Sequence, residues 1–393
     1  MTDLSSRERM LRTISLQEID HPPCCFMSFT ALRKRVAENM YDLARAELAM
    51  GLDSMLFIPV APRSARREHP ELRGLPVRFH PAVVTVERRE TSTDGAATLH
   101  KEYLTPAGKL STSVNLTEDW PHGDHIPFID DYQVPRAIKP LITDRIELKA
   151  LQYLLTPPCA KEMDAFRQEA ETAHEFVRQH EVLLAGGWGV GFDMVGWLCG
   201  LQGGMTLALE QPGFVEELLE MIHVWNLTRM WVVLCAPVDL YVRRAWYEGC
   251  DFITPRFYRR AILPRLKAEV DLAHECGAKF GCICSSGTKP MLDMYLEAGI
   301  DVLIGVDPVQ GTYTDMALMK AKVGHRICLW GGVSGAITVE RGSDDEVRAA
   351  VRQAAAALGP AGFVLSPVDN ITVDAPLTWH NIDVLIDEWR KSW

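Results

Sequence analysis

The sequence has little of what marks membrane-inserted, exported or nucleic-acid-binding proteins. No stretch approaches the roughly 18 to 20 uninterrupted apolar residues of a membrane helix. The charged N-terminus has no apolar core of the kind found in signal peptides. Basic residues are in the minority, with 41 Lys and Arg against 52 Asp and Glu, so the formal net charge is −11. We therefore expect a cytoplasmic protein that binds neither nucleic acid nor an anionic membrane.

Several motifs that identify common enzyme classes are missing as well. The chain has no Gly-x-Ser-x-Gly elbow, no Walker A loop, no His-Glu-x-x-His pair and no EF-hand loop. No Gly-x-Gly-x-x-Gly turn follows the first predicted strand, which argues against a doubly wound dinucleotide-binding sheet. These absences argue against the commonest classes of hydrolase, nucleoside triphosphatase, zinc peptidase and calcium-binding protein.

Short apolar segments alternate with amphipathic segments along most of the 393 residues. The predicted strands are Cys24–Phe29, Ser54–Val60, Val182–Trp188, Leu240–Trp246, Lys279–Cys284, Val302–Val306, Ile327–Gly332 and Phe363–Pro367. The predicted helices are Asp42–Met50, Asp164–His180, Phe214–Val233, Arg259–Cys276, Met291–Ala298, Asp344–Leu358 and Trp379–Trp389. Strands of this length, most of them followed by a helix, predict a (β/α)₈ TIM-type barrel.

One region, residues 75–120, interrupts this alternation with strand-like segments. Val83–Glu87, Ala97–Leu99 and Leu110–Val114 are separated by turn sequences at Thr93–Gly95 and Pro106–Gly108. The pattern predicts an antiparallel β meander inserted after the second barrel strand. We otherwise predict a single barrel domain over residues 1–393, because no linker or internal repeat divides the chain.

Short motifs in a fixed order run along nearly the whole chain. They are Ser6–Leu11, Asp20–Pro23, Ile253–Tyr258, Leu263–Pro264, Gly277–Lys279, Gly331–Val333, Asp344–Val351 and Phe363–Pro367, with Pro376 and Asn381. In this order they resemble the uroporphyrinogen decarboxylase superfamily, which includes corrinoid-linked methyltransferases. The resemblance implies a TIM-type barrel, and it leaves the reaction open because one fold serves many chemistries.

The loop after the first predicted strand departs from true uroporphyrinogen decarboxylases. Those enzymes resemble one another in arginines that hold the many carboxylates of the substrate. Here the corresponding positions are Ser28 and Leu32, and only Arg33 lies nearby. Because a polyanionic tetrapyrrole needs several charge-assisted partners, we expect a different substrate.

A metal site is implied by resemblance to the zinc-dependent methyltransferases of the superfamily. Those use His-x-Cys after the fifth strand, an acid after the sixth and Cys after the eighth; this sequence has Cys282 and Cys284, Asp307 and Asp369 there. Residues at i and i+2 of a strand share a face, so the two thiols could bind Zn²⁺ together and the metal would act as a Lewis acid. The alternative is that the cysteines pack as small apolar residues and Asp369 makes an Asx turn.

Further candidates lie where the predicted strands end. Glu248 and Tyr247 follow the fourth strand and are the predicted catalytic acid–base groups, although Glu248 could instead form an ion pair with Arg243 or Arg259. The predicted substrate-binding residues are Trp188, Trp246, Trp330, Asn370 and Arg33. The alternative for the three tryptophans is that they pack in the core, as tryptophan in a barrel commonly does.

The resemblance to the corrinoid-linked members, together with these residues, implies a methyltransferase or demethylase. It would move a methyl group from a small methoxylated or methylated substrate to a corrinoid carried by a partner protein, since the chain has no Asp-x-His-x-x-Gly corrinoid motif. The alternative enzyme is a decarboxylase of a small or cyclic acid, with Arg33, Arg243 and Arg244 as candidate cations. A non-catalytic binding barrel is the third hypothesis. The apolar helices also allow a homodimer.

Overall fold

The computed structural model describes residues 4–36, 39–58, 68–69, 78–93, 95–312 and 314–393. The chain divides into two compact units. The first comprises Met1–Arg63, Arg167–Trp188 and Val233–Trp393, and the second comprises Ser64–Phe166 and Gly189–Val232. Among the described residues, no helix combines the length and apolar character needed to cross a membrane. The single-domain division stays a prediction.

Strands and helices alternate through most of the chain. The strands are β1 (Met55–Ile58), β2 (Val84–Thr91), β3 (Ala97–Thr105), β4 (Gly108–Asn115), β5 (Ala137–Lys139), β6 (Leu183–Gly189), β7 (Leu240–Arg244), β8 (Lys279–Ile283), β9 (Val302–Val306), β10 (Cys328–Ser334) and β11 (Phe363–Val368). The α-helices are α1 (Ser6–Ile14), α2 (Thr30–Val36), α3 (Met40–Ala49), α4 (Leu148–Leu151), α5 (Ala160–His180), α6 (Phe192–Cys199), α7 (Leu201–Glu210), α8 (Pro212–Leu234), α9 (Pro255–Phe257), α10 (Leu263–Glu275), α11 (Leu292–Ala298), α12 (Met316–Val323), α13 (Asp344–Leu358) and α14 (Pro376–Lys391). Short 3₁₀ or π segments cover Arg145–Glu147, Tyr258–Ile262, Lys289–Met291 and Gly335–Val339.

The first unit is built on a curled, seven-stranded sheet with the order β1-β6-β7-β8-β9-β10-β11. The pairs β1–β6, β7–β8, β8–β9, β9–β10 and β10–β11 are all parallel. Helices connect successive strands, as parallel pairing requires. This mixed α/β architecture is consistent with a TIM-like fold, and it confirms the predicted alternation from the second to the eighth predicted strand.

The first predicted strand, Cys24–Phe29, is wrong in its extent. Only Cys24 makes a bridge, in parallel with Leu365, while the amide of Asp53 donates to the Cys24 carbonyl at 2.9 Å. The amide of Met27 donates to the side-chain hydroxyl of Ser366 in β11 at 3.4 Å instead of to a backbone carbonyl of that strand. The segment therefore contacts residues at both ends of the seven-stranded order without forming a ladder.

Side chains on the concave face of the curled sheet form one hydrophobic core. Residues from all seven strands meet there, and α1 contributes Met10 and Ile14. The strand residues in this core are Met55, Phe57, Leu183, Ala185, Trp188, Leu240, Val242, Ile283, Val302, Ile304, Cys328, Trp330 and Val364. Because side chains alternate along a strand, the residues between them, such as Arg243 and Cys282, lie on the convex face.

The second unit contains the antiparallel meander, with the order β2-β3-β4-β5. Thr105 pairs with Gly108 across the Pro106–Ala107 turn, as the turn sequence predicts. Leu99, Val114, Trp120 and Ile126 form its small core. The insertion after the second predicted strand is thereby confirmed, although β5 lies beyond residue 120 and residues 75–77 lie outside the described part.

A buried lysine connects the meander to the loop that follows it. The ammonium of Lys101 lies 2.7 Å from a Glu68 oxygen and 3.5 Å from a Glu87 oxygen, and it donates to the Ile126 carbonyl at 2.6 Å. Glu87 also pairs with His125 at 2.8 Å. Because the lysine side chain is only 1% exposed, these partners are needed to offset its desolvation.

Glu87 should make the stability of this unit depend on acid pH. Burial would raise the pKa of Glu87, but hydrogen bonds from His125 and Ile126 and the charge of Lys101 lower it from 4.5 to about 2. A lowered pKa stabilises the folded state above pH 4.5, and that contribution is lost as the pH falls towards 2. We expect urea titrations to show a smaller loss in Glu87→Gln than in the native protein, because other carboxylates with lowered pKa values, such as Asp20, still contribute. The variant Glu118→Gln, at an exposed position, should show the same pH dependence of stability as the native protein. If Glu87→Gln also showed the native pH dependence, Glu87 would not be the group responsible.

Candidate functional site

The carboxyl end of β7 places a cation on the concave side of the sheet. Arg244 follows the alternation from Val242 and is only 2% exposed. Its guanidinium carbon lies 4.4 Å from the ring centre of Trp246 and 5.7 Å from that of Tyr247. Such stacking on aromatic faces stabilises a buried guanidinium and holds its planar fork in one orientation.

Three aromatic side chains lie together beside Arg244, and we call Phe57, Trp188 and Trp246 the aromatic wall. The rings of Trp188 and Trp246 are 5.6 Å apart at 66°. Phe57 meets Trp188 edge-on, with a centroid distance of 6.2 Å and an angle of 84°. These residues come from the ends of β1, β6 and β7, the edge at which barrel enzymes bind their substrates. We take the aromatic wall and Arg244 as the candidate site.

Trp330 shares the core with the aromatic wall but is itself fully buried. Its indole Nε1 donates to the Cys25 carbonyl at 2.9 Å. A tryptophan whose ring is enclosed and whose only donor is engaged has the contacts of a packing residue. The structure thus brings Trp188 and Trp246 together as neighbours and places Trp330 deeper in the same core.

The two remaining predicted substrate-binding residues lie at α2. Asn370 accepts a hydrogen bond from the Thr30 amide at 3.0 Å and donates to the Thr30 hydroxyl at 2.8 Å. These bonds connect the segment after β11 to the first residue of α2. Arg33 lies one turn further along the same helix and is half-buried.

Glu248 faces away from the aromatic wall. Its Oε1 atom accepts a hydrogen bond from Nη2 of Arg243 at 2.6 Å, and both side chains are 1% exposed. Glu269 of α10 approaches Nη1 of the same arginine at 3.4 Å. The ion pair considered as the alternative for Glu248 is therefore present. A carboxylate held in this way is a poor proton donor, because donating a proton requires that it first gain one.

The surroundings of Arg243 form a buried polar cluster on the convex face. Its members are Arg243, Glu248, Tyr258, Glu269, Cys282, Cys284 and Tyr295, all at most 1% exposed. Burial opposes the charge on Arg243, but Glu248 and Glu269 hold the pKa of its guanidinium above the usual value. Burial also raises the pKa of Cys282 far above that of a free thiol, against the influence of Arg243.

The four predicted metal ligands do not form a common site. Cys282 and Cys284 share one face, but that is the convex face, and the Cys284 thiol donates to the Ser286 carbonyl at 3.4 Å. Asp307 accepts from the amides of Val309 and Gln310 at 2.8 and 3.0 Å, and Asp369 has a positive φ of 73°. In the described parts of the chain no three His, Cys, Asp or Glu side chains are grouped as a metal would require. The arrangement does not fit zinc, which stays a prediction from the resemblance.

The sequence model of the family described as uroporphyrinogen decarboxylase (URO-D) matches residues 116–392. The chain belongs to the URO-D family. This confirms the resemblance found in the sequence, and the match includes β6 to β11 and Arg244 but not β1 or α2. No curated protein shows significant sequence similarity to this URO-D family chain.

One solved structure supports the fold of this URO-D family member. A methyltransferase from Methanosarcina mazei aligns over 99% of both chains with a TM-score of 0.59 and 16% identity. A B12-independent methionine synthase from a Shewanella species covers 56% of this chain and 65% of its own, with a TM-score of 0.37 and 12% identity. At 16% identity the first alignment supports the fold alone.

Proposed function

We propose that this URO-D family protein transfers a methyl group from a small methylated or methoxylated substrate to a corrinoid carried by a separate protein. Family membership and the full-length fold similarity to a methyltransferase support a methyl-transferring enzyme. The observation that carries the proposal furthest is the aromatic wall with Arg244 beside it, at the carboxyl ends of parallel strands. The corrinoid carrier, the homodimer and the cytoplasmic location rest on the sequence predictions alone.

The chemistry of these residues indicates the substrate class. Aromatic rings pack edge-on or offset against Trp188 and Trp246, and a guanidinium pairs with a carboxylate through two parallel hydrogen bonds. A methoxylated aromatic acid satisfies both groups at once. Its ring would lie on the aromatic wall and its carboxylate would bind Arg244. Its methoxy group would then face outwards at the carboxyl ends of the strands.

Demethylation breaks the bond between the methyl carbon and the oxygen, and the oxygen leaves with the electron pair. The reduced corrinoid, when bound on its carrier, supplies the nucleophile that takes the methyl group. The departing oxygen then needs a proton, and we assign this role to the half-buried phenol of Tyr247 beside Arg244. Glu248 acts as a positioning residue, because its ion pair with Arg243 joins the turn carrying Tyr247 to β7.

The proposal predicts that Arg244→Met impairs turnover of acidic substrates. A hydrogen bond to a charged group contributes about 1.5–3 kcal/mol, so kcat/KM should fall about 10- to 150-fold for methoxybenzoates. Methylation of free reduced cobalamin, followed by absorbance, measures the rate. For neutral methoxybenzenes, Arg244→Met should change kcat/KM little. The surface substitution Arg259→Met should leave kcat/KM at the native value for both substrate classes. The absence of methyl transfer across the whole panel, with carrier protein added, would refute the function.

A decarboxylase is the second candidate, and one observation favours it. Arg243 forms ion pairs with Glu248 and Glu269 on the convex face. Of the two adjacent arginines, Arg244 is the one that lies on the concave side. A fixed cation near a scissile carboxylate can stabilise the charge that develops when CO₂ leaves. Release of CO₂ from the same aromatic acids, without demethylation, would favour this reaction over methyl transfer.

A further inference from the structure

The cysteines fall into sharply different environments. All ten lie in the described part of the chain, and Cys235 and Cys276 alone are exposed; the others are buried or half-buried. Thiol reactivity requires access by the reagent as well as ionisation. Reaction with a small oxidant in solution is therefore expected first at these two positions.

The two exposed cysteines occupy neighbouring loops of the first unit. Cys235 directly follows α8, and Cys276 caps the carboxyl end of α10. The strands that come next, β7 and β8, are paired in parallel from Leu240 and Lys279, and the Lys279 amide donates to the Asp239 carbonyl at 2.9 Å. Neighbouring strands lie about 4.8 Å apart, and a disulfide joins Cα atoms about 4.4–6.8 Å apart. Cys235 and Cys276 therefore lie in loops at the same edge of two adjacent strands.

The thiols also interact electrostatically. Partial burial and then the neighbouring Cys235 raise the pKa of Cys276 above that of a free thiol. Cys235 therefore lies close enough to Cys276 to influence the ionisation of its thiol. This is the arrangement in which an oxidised cysteine has a second cysteine at hand to resolve it.

We propose that Cys235 and Cys276 form an intramolecular disulfide when the protein encounters hydrogen peroxide. One thiolate attacks a peroxide oxygen, the O–O bond breaks, and a sulfenic acid and hydroxide result. The second thiol attacks the sulfenic sulfur and displaces its oxygen as water. In sum, two thiols and one peroxide give one disulfide and two waters, so sulfur is oxidised and peroxide is reduced. The pair lies at the amino ends of β7 and β8, the opposite edge from the aromatic wall.

Peptide mapping under non-reducing conditions tests this proposal on the full chain. After mild peroxide treatment, the folded protein should lose its two fastest-reacting thiols together and lose the mass of two hydrogen atoms. Digestion should give one peptide pair that links Cys235 to Cys276, and reduction with dithiothreitol should separate the two peptides and restore both thiols.

Single substitutions distinguish this disulfide from other oxidation products. Cys235→Ser and Cys276→Ser should each abolish the linked peptide, while Cys250→Ser, at a half-buried cysteine, should leave it unchanged. Oxygen added at either cysteine without a crosslink, a disulfide between two chains, or unchanged thiols would each overturn the proposal. None of these outcomes depends on the methyl-transfer activity, because the readout is mass and thiol content.

Discussion

Replacing Arg243 with methionine should lower the free energy of unfolding by about 3–5 kcal/mol. Methionine keeps much of the volume of the side chain but removes the charge that faces Glu248 at 2.6 Å and Glu269 at 3.4 Å. Both carboxylates are 1% exposed, so water cannot replace the lost partner without opening the cluster. Urea unfolding of the native protein and the variant measures the difference.

Two controls show whether the loss comes from unpaired buried charge. Arg259 pairs with Glu297 at the surface, where the side chains are 55% and 45% exposed, so Arg259→Met should cost at most about 1 kcal/mol. Combining Arg243→Met with Glu248→Gln and Glu269→Gln should restore part of the stability, because no charge then remains buried. Equal losses for Arg243→Met and Arg259→Met would contradict the structure of this cluster.

Truncating Trp330 to alanine should cost about 3–5 kcal/mol, as for other large aromatic side chains in a core. The ring is fully buried among residues from the concave faces of the other strands. The change also removes the hydrogen bond to the Cys25 carbonyl, which connects β10 to the segment between β11 and β1. Urea unfolding gives the magnitude, and Trp330→Phe should lie between the native protein and the alanine variant.

The matched control is a tryptophan of similar size at the surface. Trp231 lies in α8 and is 54% exposed, so Trp231→Ala should change the unfolding free energy by no more than about 0.5 kcal/mol. If Trp330→Ala were as mild as Trp231→Ala, the concave core would not be packed as described.

Seven of the eight predicted strands correspond to strands of the parallel sheet. Each is short, apolar and followed by a change of pattern, which is the signature of a strand buried on both faces. Cys24–Phe29 had the same composition, but its amides bond to a side chain and to single neighbours instead of forming a ladder. Composition alone does not distinguish the two cases, because both segments are buried.

Helices α6 and α7 lie between the predicted helices. Every residue of α6 is buried, so it has no polar face and no amphipathic period. The surrounding glycines also lower the local helix propensity. Gly204 lies against Val195, where an added Cβ would be 3.2 Å from a methyl group. Tertiary packing therefore determines α6, and a larger residue at position 204 would require Val195 to shift by a few tenths of an ångström.

The sequence by itself determined the strand–helix alternation, the inserted meander, the family and the residues that follow each strand. It did not decide which face of the sheet those residues occupy. Arg243 and Arg244 are adjacent and chemically identical, yet one binds two carboxylates on the convex face and the other stacks on Trp246. Cys282 likewise lies with Arg243 and not with the aromatic wall.

Only the tertiary structure settles this, because facing depends on strand register and on how the sheet curls. The partners that decide each environment are distant in sequence: Glu269 lies on the helix after β7, and Trp188 is contributed by β6. When both sides of a five-residue strand are apolar, its sequence does not show which side will face the concave core. Packing against α10 on one face and against the concave core on the other supplies the distinction.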